Sequence, residues 1–174
     1  DLALAQGNEQ LALGLYQEAW EIGANNANAL QIYRLLARQK DDGATDSFLG
    51  EWITKMPNSI DPLNIRASKY LLASQYDLAI ADLENAVALV ANAPATLNNL
   101  AWAYQQVGNK KAVEVAKKAY ELAPQSAAVT DTYGWILYQN GRVEEALVLL
   151  EKAAKAAPND AEIQAHLQKA RAGQ

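Results

Sequence analysis

LNNLAWAYQQVG, residues 97–108, returns thirty-three residues later as TDTYGWILYQNG, residues 130–141, with a Trp at the same place in both copies, Trp102 and Trp135. Self-similarity at a fixed step marks a stacked-repeat architecture, because each unit is a supersecondary element that buries its apolar face only against its neighbours. A Trp recurring at that step either fills the same hole in each packed unit or shows the same ring to something outside.

Working outward, the helix ends preceding turn or Pro signals carry the step along the chain: GNEQLALGLYQEAWEIGANN, KDDGATDSFLGEWITKMPNS, SQYDLAIADLENAVALVANA, GNKKAVEVAKKAYELAPQS and GRVEEALVLLEKAAKAAPND. Units run 27–59, 60–93, 94–126 and 127–160, after a partial unit 1–26 and before a short amphipathic helix, 161–174. Each full unit reads as two helices. In the last, Val129, Tyr133, Ile136 and Leu137 keep helical spacing, Asn140-Gly141 breaks it, and Ala146, Leu149, Leu150 and Ala153 resume it until Pro158. Asp61-Pro62 reads as an N-cap followed by a helix-starting Pro. Strand signals are absent, so the fold class is all-α.

The small, aromatic and Pro positions of these units resemble the tetratricopeptide repeat (TPR) pattern. Unit 94–126 carries it as Leu97, Leu100, Ala101, Tyr104, Gly108, Ala112, Ala119 and Pro124, and unit 127–160 as Tyr133, Gly134, Leu137, Gly141, Ala146, Leu150, Ala153 and Pro158. The resemblance implies a right-handed TPR superhelix, an α-solenoid of antiparallel helix pairs closed by a C-terminal capping helix, forming one domain over residues 1–174. Unit 27–59 departs most: Arg34, Thr45 and Trp52 stand where small residues are expected, which predicts a splayed or rotated helix pair. The chain begins DLALAQGN, without Met, as the back half of a helix would. We expect a fragment of a longer protein, with residues 1–6 the tail of a truncated first helix and a dimer formed through residues 1–30.

In a TPR unit the first helix lines the inner wall. The fifth, ninth and twelfth positions of successive units then place Asn64, Asn98, Trp102, Gln105, Asp131, Trp135 and Tyr138 along a groove, where indole and phenol rings beside amides and a carboxylate suit an extended peptide or a sugar ring. The alternative is that both Trp rings pack between repeats. With no inner Lys before Lys169, a clamp for a chaperone's C-terminal carboxylate does not fit.

Composition narrows the function classes. The net charge of −5 removes the electropositive field that nonspecific nucleic-acid binding needs, and the absence of Cys removes disulfides, thiolate metal sites and a Cys nucleophile. No apolar run reaches the ~18 residues that cross a bilayer. His166 is the single His, with no second ligand at metal spacing, and reads as a surface or capping residue. Asp41-Asp42 and Glu144-Glu145 sit where helices start, favoured by the helix dipole. Lys110-Lys111 and Lys117-Lys118 read as a solvated stripe. No catalytic constellation, cofactor cradle or metal site emerges, and the expected function is a non-enzymatic scaffold for a protein or peptide segment.

A second resemblance concerns residues 97–160. LNNLAW, the AKKAYELAP helix end and the T-x-G-W-I-L segment are similar to the C-terminal repeats of bacterial PEP-CTERM/exosortase-associated TPR lipoproteins. This implies an array in exopolysaccharide production or protein sorting, held in the periplasm or at the outer membrane by an N-terminal lipid anchor absent from this sequence. It also raises carbohydrate binding through the groove aromatics, or an accessory domain of a larger enzyme, as alternatives.

Overall fold

The computed structural model describes residues 7–173, which form ten helices joined by short turns, with no strand among them. They are α1 Glu9–Ile22, α2 Asn26–Arg38, α3 Asp42–Lys55, α4 Asp61–Leu72, α5 Tyr76–Leu89, α6 Pro94–Gln106, α7 Ala112–Leu122, α8 Ala127–Gln139, α9 Val143–Ala156 and α10 Ala161–Ala172. The expectation for residues 1–6 lies outside the described residues. No helix among them is long and apolar enough to cross a membrane.

Helix starts follow local chemistry. Asn8, Asn25, Asp41, Ser126 and Asp160 each accept a backbone N–H of the helix they precede, satisfying donors that have no intrahelical partner. Asp61 is not a cap. The Ile60 carbonyl accepts the first helical bond from Asn64, which puts Asp61 and Pro62 inside the first turn, while the Ser59 hydroxyl accepts the Asp61 N–H at 3.3 Å.

The turn between paired helices recurs at the repeat step. Lys40, Ser74, Gly108 and Gly141 all have positive φ, between 56° and 77°. At the last of these, Arg142 N–H donates to the Leu137 carbonyl and Gly141 N–H to that of Tyr138, the paired bonds that close a helix end through a left-handed residue. Glycine takes this conformation without steric cost; Lys40 and Ser74 adopt it against their side chains.

The helices divide into two compact units, one ending at Arg66 and one starting at Ala67. In the first, Leu13, Trp20, Ile32, Leu35, Phe48, Leu49 and Trp52 form the core. Phe48 lies against Trp20 with ring centroids 5.6 Å apart at 62°, and against Trp52 at 6.1 Å. The fully buried Trp52 indole donates to Asn26 Oδ1 at 3.0 Å. Bulk sits where the repeat pattern wants a small residue, and α2 and α3 accordingly approach along less of their length than α6 and α7 or α8 and α9. Arg34 is exposed and has no part in this.

In the second unit, α6 packs on α5 and α7, and α8 on α7 and α9. α8 also touches α6 on one side and α10 on the other, so α6, α8 and α10 line up in one layer. Gly134 lets α8 and α9 approach closely: a Cβ there would stand 3.0 Å from Leu150 Cγ and 3.1 Å from Leu149 Cβ.

Tyr104 ties α6 to α5 by donating its hydroxyl to Glu84 Oε1 at 2.5 Å. Burial, followed by the hydrogen bond and the charge of Glu84, pushes the phenol from 10.0 up to about 12. A raised folded-state value makes this contribution complete below pH 10 and lost as pH climbs from 10 towards 12. Denaturant titrations at pH 9, 10 and 11 should therefore show the stability gap between the native chain and Tyr104→Phe narrowing with pH. A constant gap would refute the linkage.

Candidate functional site

The layer of α6, α8 and α10 carries six of the seven expected groove residues. Asn64 stands half-buried on α4 in the unit that ends at Arg66. Ser126 and Asp160 fix where α8 and α10 begin: the Val129 N–H donates to Ser126 Oγ at 3.4 Å, and Asp160 Oδ1 accepts from Glu162 N–H at 3.1 Å and Ile163 N–H at 3.2 Å. Docked in this way, α10 sets one face of its helix against α8.

That docking separates the two repeated Trp residues. His166 stacks on the Trp135 ring at 4.1 Å and 14°, Tyr138 stacks on it at 5.3 Å and 25°, and Lys169 Nζ lies 5.4 Å from its centre. Trp135 is 7% exposed, so it is a packing residue that receives the last helix rather than an open platform. Tyr138 is drawn into the same joint, its hydroxyl donating to the Lys169 carbonyl at 3.3 Å. Gln105 is also occupied, accepting from Asn140 Nδ2 at 3.1 Å and so bracing the turn after α8. Trp102 keeps part of its surface open.

Asn98, Trp102 and Asp131 do converge. They line a recess of about 150 Å³ with His166, Asp160 and Glu162. His166 Nδ1 lies 2.8 Å from Asp131 Oδ2, and the two side chains are only 13% and 8% exposed. This corrects the reading of His166 as a surface or capping residue: stacking on Trp135 and the bond to Asp131 hold it inside the unit. Asp131 Oδ1 and Asn98 Oδ1 are buried without a hydrogen-bond partner. No Lys or Arg is among the lining residues, and His166 is the one basic side chain that shares the lining with the three acidic ones.

A larger recess of about 320 Å³ lies at the start of α8 against α9, lined by Pro124, Ala127, Thr130 and Lys152 among others; it holds no buried unpartnered polar atom. Lys110, Lys111, Lys117 and Lys118 are exposed, as expected of a solvated stripe. Asp41 caps α3, and Glu145 in the first turn of α9 pairs with Arg142 at 2.6 Å. Among the described residues no group of three His, Cys, Asp or Glu side chains could hold a metal ion.

Sequence reasoning missed His166, Asp160 and Glu162 as neighbours of Asp131. The available signal was the Asp160 cap, which starts α10 as Ser126 starts α8 and so makes it the next helix of the same layer.

Paired antiparallel helices repeating every 33 or 34 residues, with left-handed turns at 40, 74, 108 and 141, decide the architecture. The fold is that of a tetratricopeptide-repeat protein. The tetratricopeptide repeat family model matches residues 109–170. Small glutamine-rich tetratricopeptide repeat-containing protein 2 of Mycosarcoma maydis is 28% identical over 101 residues, 58% of this chain and 29% of that protein, so this chain matches less than a third of that relative's length. The crystal structure of MamA superposes with a TM-score of 0.71 at 20% identity, covering 93% of this chain and 96% of that one. YrrB, described as a TPR protein with an unusual peptide-binding site, superposes with a TM-score of 0.72 at 16% identity over 90% of this chain and 82% of its own. At these identities the likeness concerns the TPR fold.

Proposed function

We propose that the chain is a non-catalytic TPR scaffold that binds a peptide or protein segment across the α6–α8–α10 layer. The observation that carries this reading is the recess on that layer, where a partly open indole stands beside acceptors that the protein itself leaves unpaired. An extended chain supplies both apolar contact for such a ring and N–H donors for such acceptors. YrrB, a TPR protein described as having an unusual peptide-binding site, supports the same use of the fold. The uninterrupted repeat step supports reading residues 27–160 as successive units of one array. The covering of Trp135 removes the paired-indole platform on which carbohydrate binding rested, and so favours the peptide reading. The exopolysaccharide setting rests on the motifs of residues 97–160 alone.

A displayed library of random peptides, selected against the full chain and followed by calorimetry on the selected sequences, tests this. Trp102→Ala should weaken selected peptides about tenfold, the loss expected on removing one aromatic contact of about 1.4 kcal/mol. Failure to select any sequence, or binding indifferent to Trp102→Ala, would overturn the assignment.

A further inference from the structure

Resting on that reading, we propose that the recess between α6, α8 and α10 is the subsite for one arginine side chain of the bound peptide. Asp131 is the centre of the argument. It is 5% exposed, its Oδ2 is taken by His166, and its Oδ1 is buried with no partner. A buried acceptor left unpaired forfeits the hydration it had in the unfolded chain, so native structures rarely keep one unless something else supplies the donor. Asn98, which lines the same recess, likewise has a buried Oδ1 without a hydrogen-bond partner. An amide can be turned to present its NH₂ instead, but an ionised carboxylate has only acceptors to offer.

The placement of these two acceptors follows from the repeat itself. Asn98 and Asp131 occupy equivalent positions of successive units, so helix stacking brings them to one recess side by side. Asp160, whose Oδ1 caps α10, and Glu162 add acidic groups from the α10 end, and the one basic side chain in the lining, His166, is already engaged with Asp131. A ligand anion is therefore repelled and a cation attracted. Trp102 supplies the remaining wall as a partly open ring.

Among biological cations, a guanidinium matches this set best. It is planar, carries five donors in a fork that can reach separated acceptors, sheds water more readily than an ammonium, and stacks on an indole face. A Lys ammonium satisfies the charge but is a compact point donor and does not stack. The volume of about 150 Å³ admits one side-chain head group and not a folded segment.

The four Trp residues give four indole N–H signals in a ¹⁵N-labelled chain, assignable by single Trp→Phe variants. Titration with Nα-acetylarginine amide at low salt should shift the Trp102 signal saturably, and added salt should weaken the effect. Nα-acetylcitrulline amide, its neutral isostere, should bind at least tenfold more weakly, and Nα-acetyllysine amide severalfold more weakly. Asp131→Asn keeps the shape and an oxygen for His166 and should lower arginine affinity at least tenfold. Should that variant not fold, Asn98→Ala supplies the same test with a severalfold loss expected. No saturable shift at Trp102, equal binding of citrulline, or indifference to these substitutions would overturn the subsite.

The peptides selected against the full chain separate this proposal from the one beneath it. If they bind and replacing each of their arginines with citrulline changes nothing, the scaffold reading stands and the arginine subsite falls. If no peptide is selected but the arginine amide still titrates Trp102 through Asp131, the site stands as a guanidinium site and the peptide reading falls.

Discussion

Replacing Trp135 with alanine is expected to destabilise the protein by about 3–5 kcal/mol, the range for emptying a well-packed aromatic site. The ring is stacked on one side by His166 and on another by Tyr138, and it is the seat on which α10 rests. Its removal leaves His166 without the face it packs on and exposes the α8 surface that α10 covers. Guanidinium denaturation followed by circular dichroism measures the total loss. Hydrogen exchange should show α10 losing protection first, because end units of a repeat stack are held by one neighbour only. Trp102→Ala is the internal control: its ring is only half-buried, so less apolar area leaves the interior and a cost of about 1 kcal/mol is expected. Equal losses at the two positions, or a Trp135 cost as small as that of Trp102, would mean that the repeated indole is not a packing device at the last joint.

The second large effect belongs to the other unit. Trp52→Ala should cost about 3–5 kcal/mol as well, since the side chain is fully buried against Phe48 and its Nε1 donates to Asn26 Oδ1, an oxygen that also accepts the Ser59 hydroxyl at 2.8 Å. The alanine that the repeat pattern prefers at this position does not rescue it, because α2 and α3 are spaced for an indole and the vacated volume stays open until they close on it. Thermal unfolding of Trp52→Ala compared with Trp52→Phe reads this directly: partial refilling by the phenyl ring should recover part of the loss. A neutral Trp52→Ala would show that the helix pair collapses freely to the ordinary repeat spacing.

The helix content was legible because it depends on neighbours in sequence. Caps such as Asn25, Asp41 and Ser126 bond N–H groups three residues on, and the turn glycines Gly108 and Gly141 are demanded by backbone conformation at a helix end. Helix pairing was legible for a related reason: Ala101 and Gly134 recur at the repeat step and mark where two backbones come close. Of the residues assigned to the groove, Asn98, Trp102 and Asp131 line one recess, as equivalent or neighbouring places in successive units allow. It could not separate Trp102 from Trp135, since the two occupy equivalent places and differ only in what lies beyond them.

By itself, then, the sequence determined an all-helical repeat with its turns and spacing, because those are local and periodic properties of the chain. Only the tertiary structure decided which inner residues are covered and which stay partly open. The docking of α10 covers one indole, orients His166 onto Asp131 and leaves one oxygen of that carboxylate unpaired, and each of these contacts joins residues some thirty positions apart that no local pattern relates.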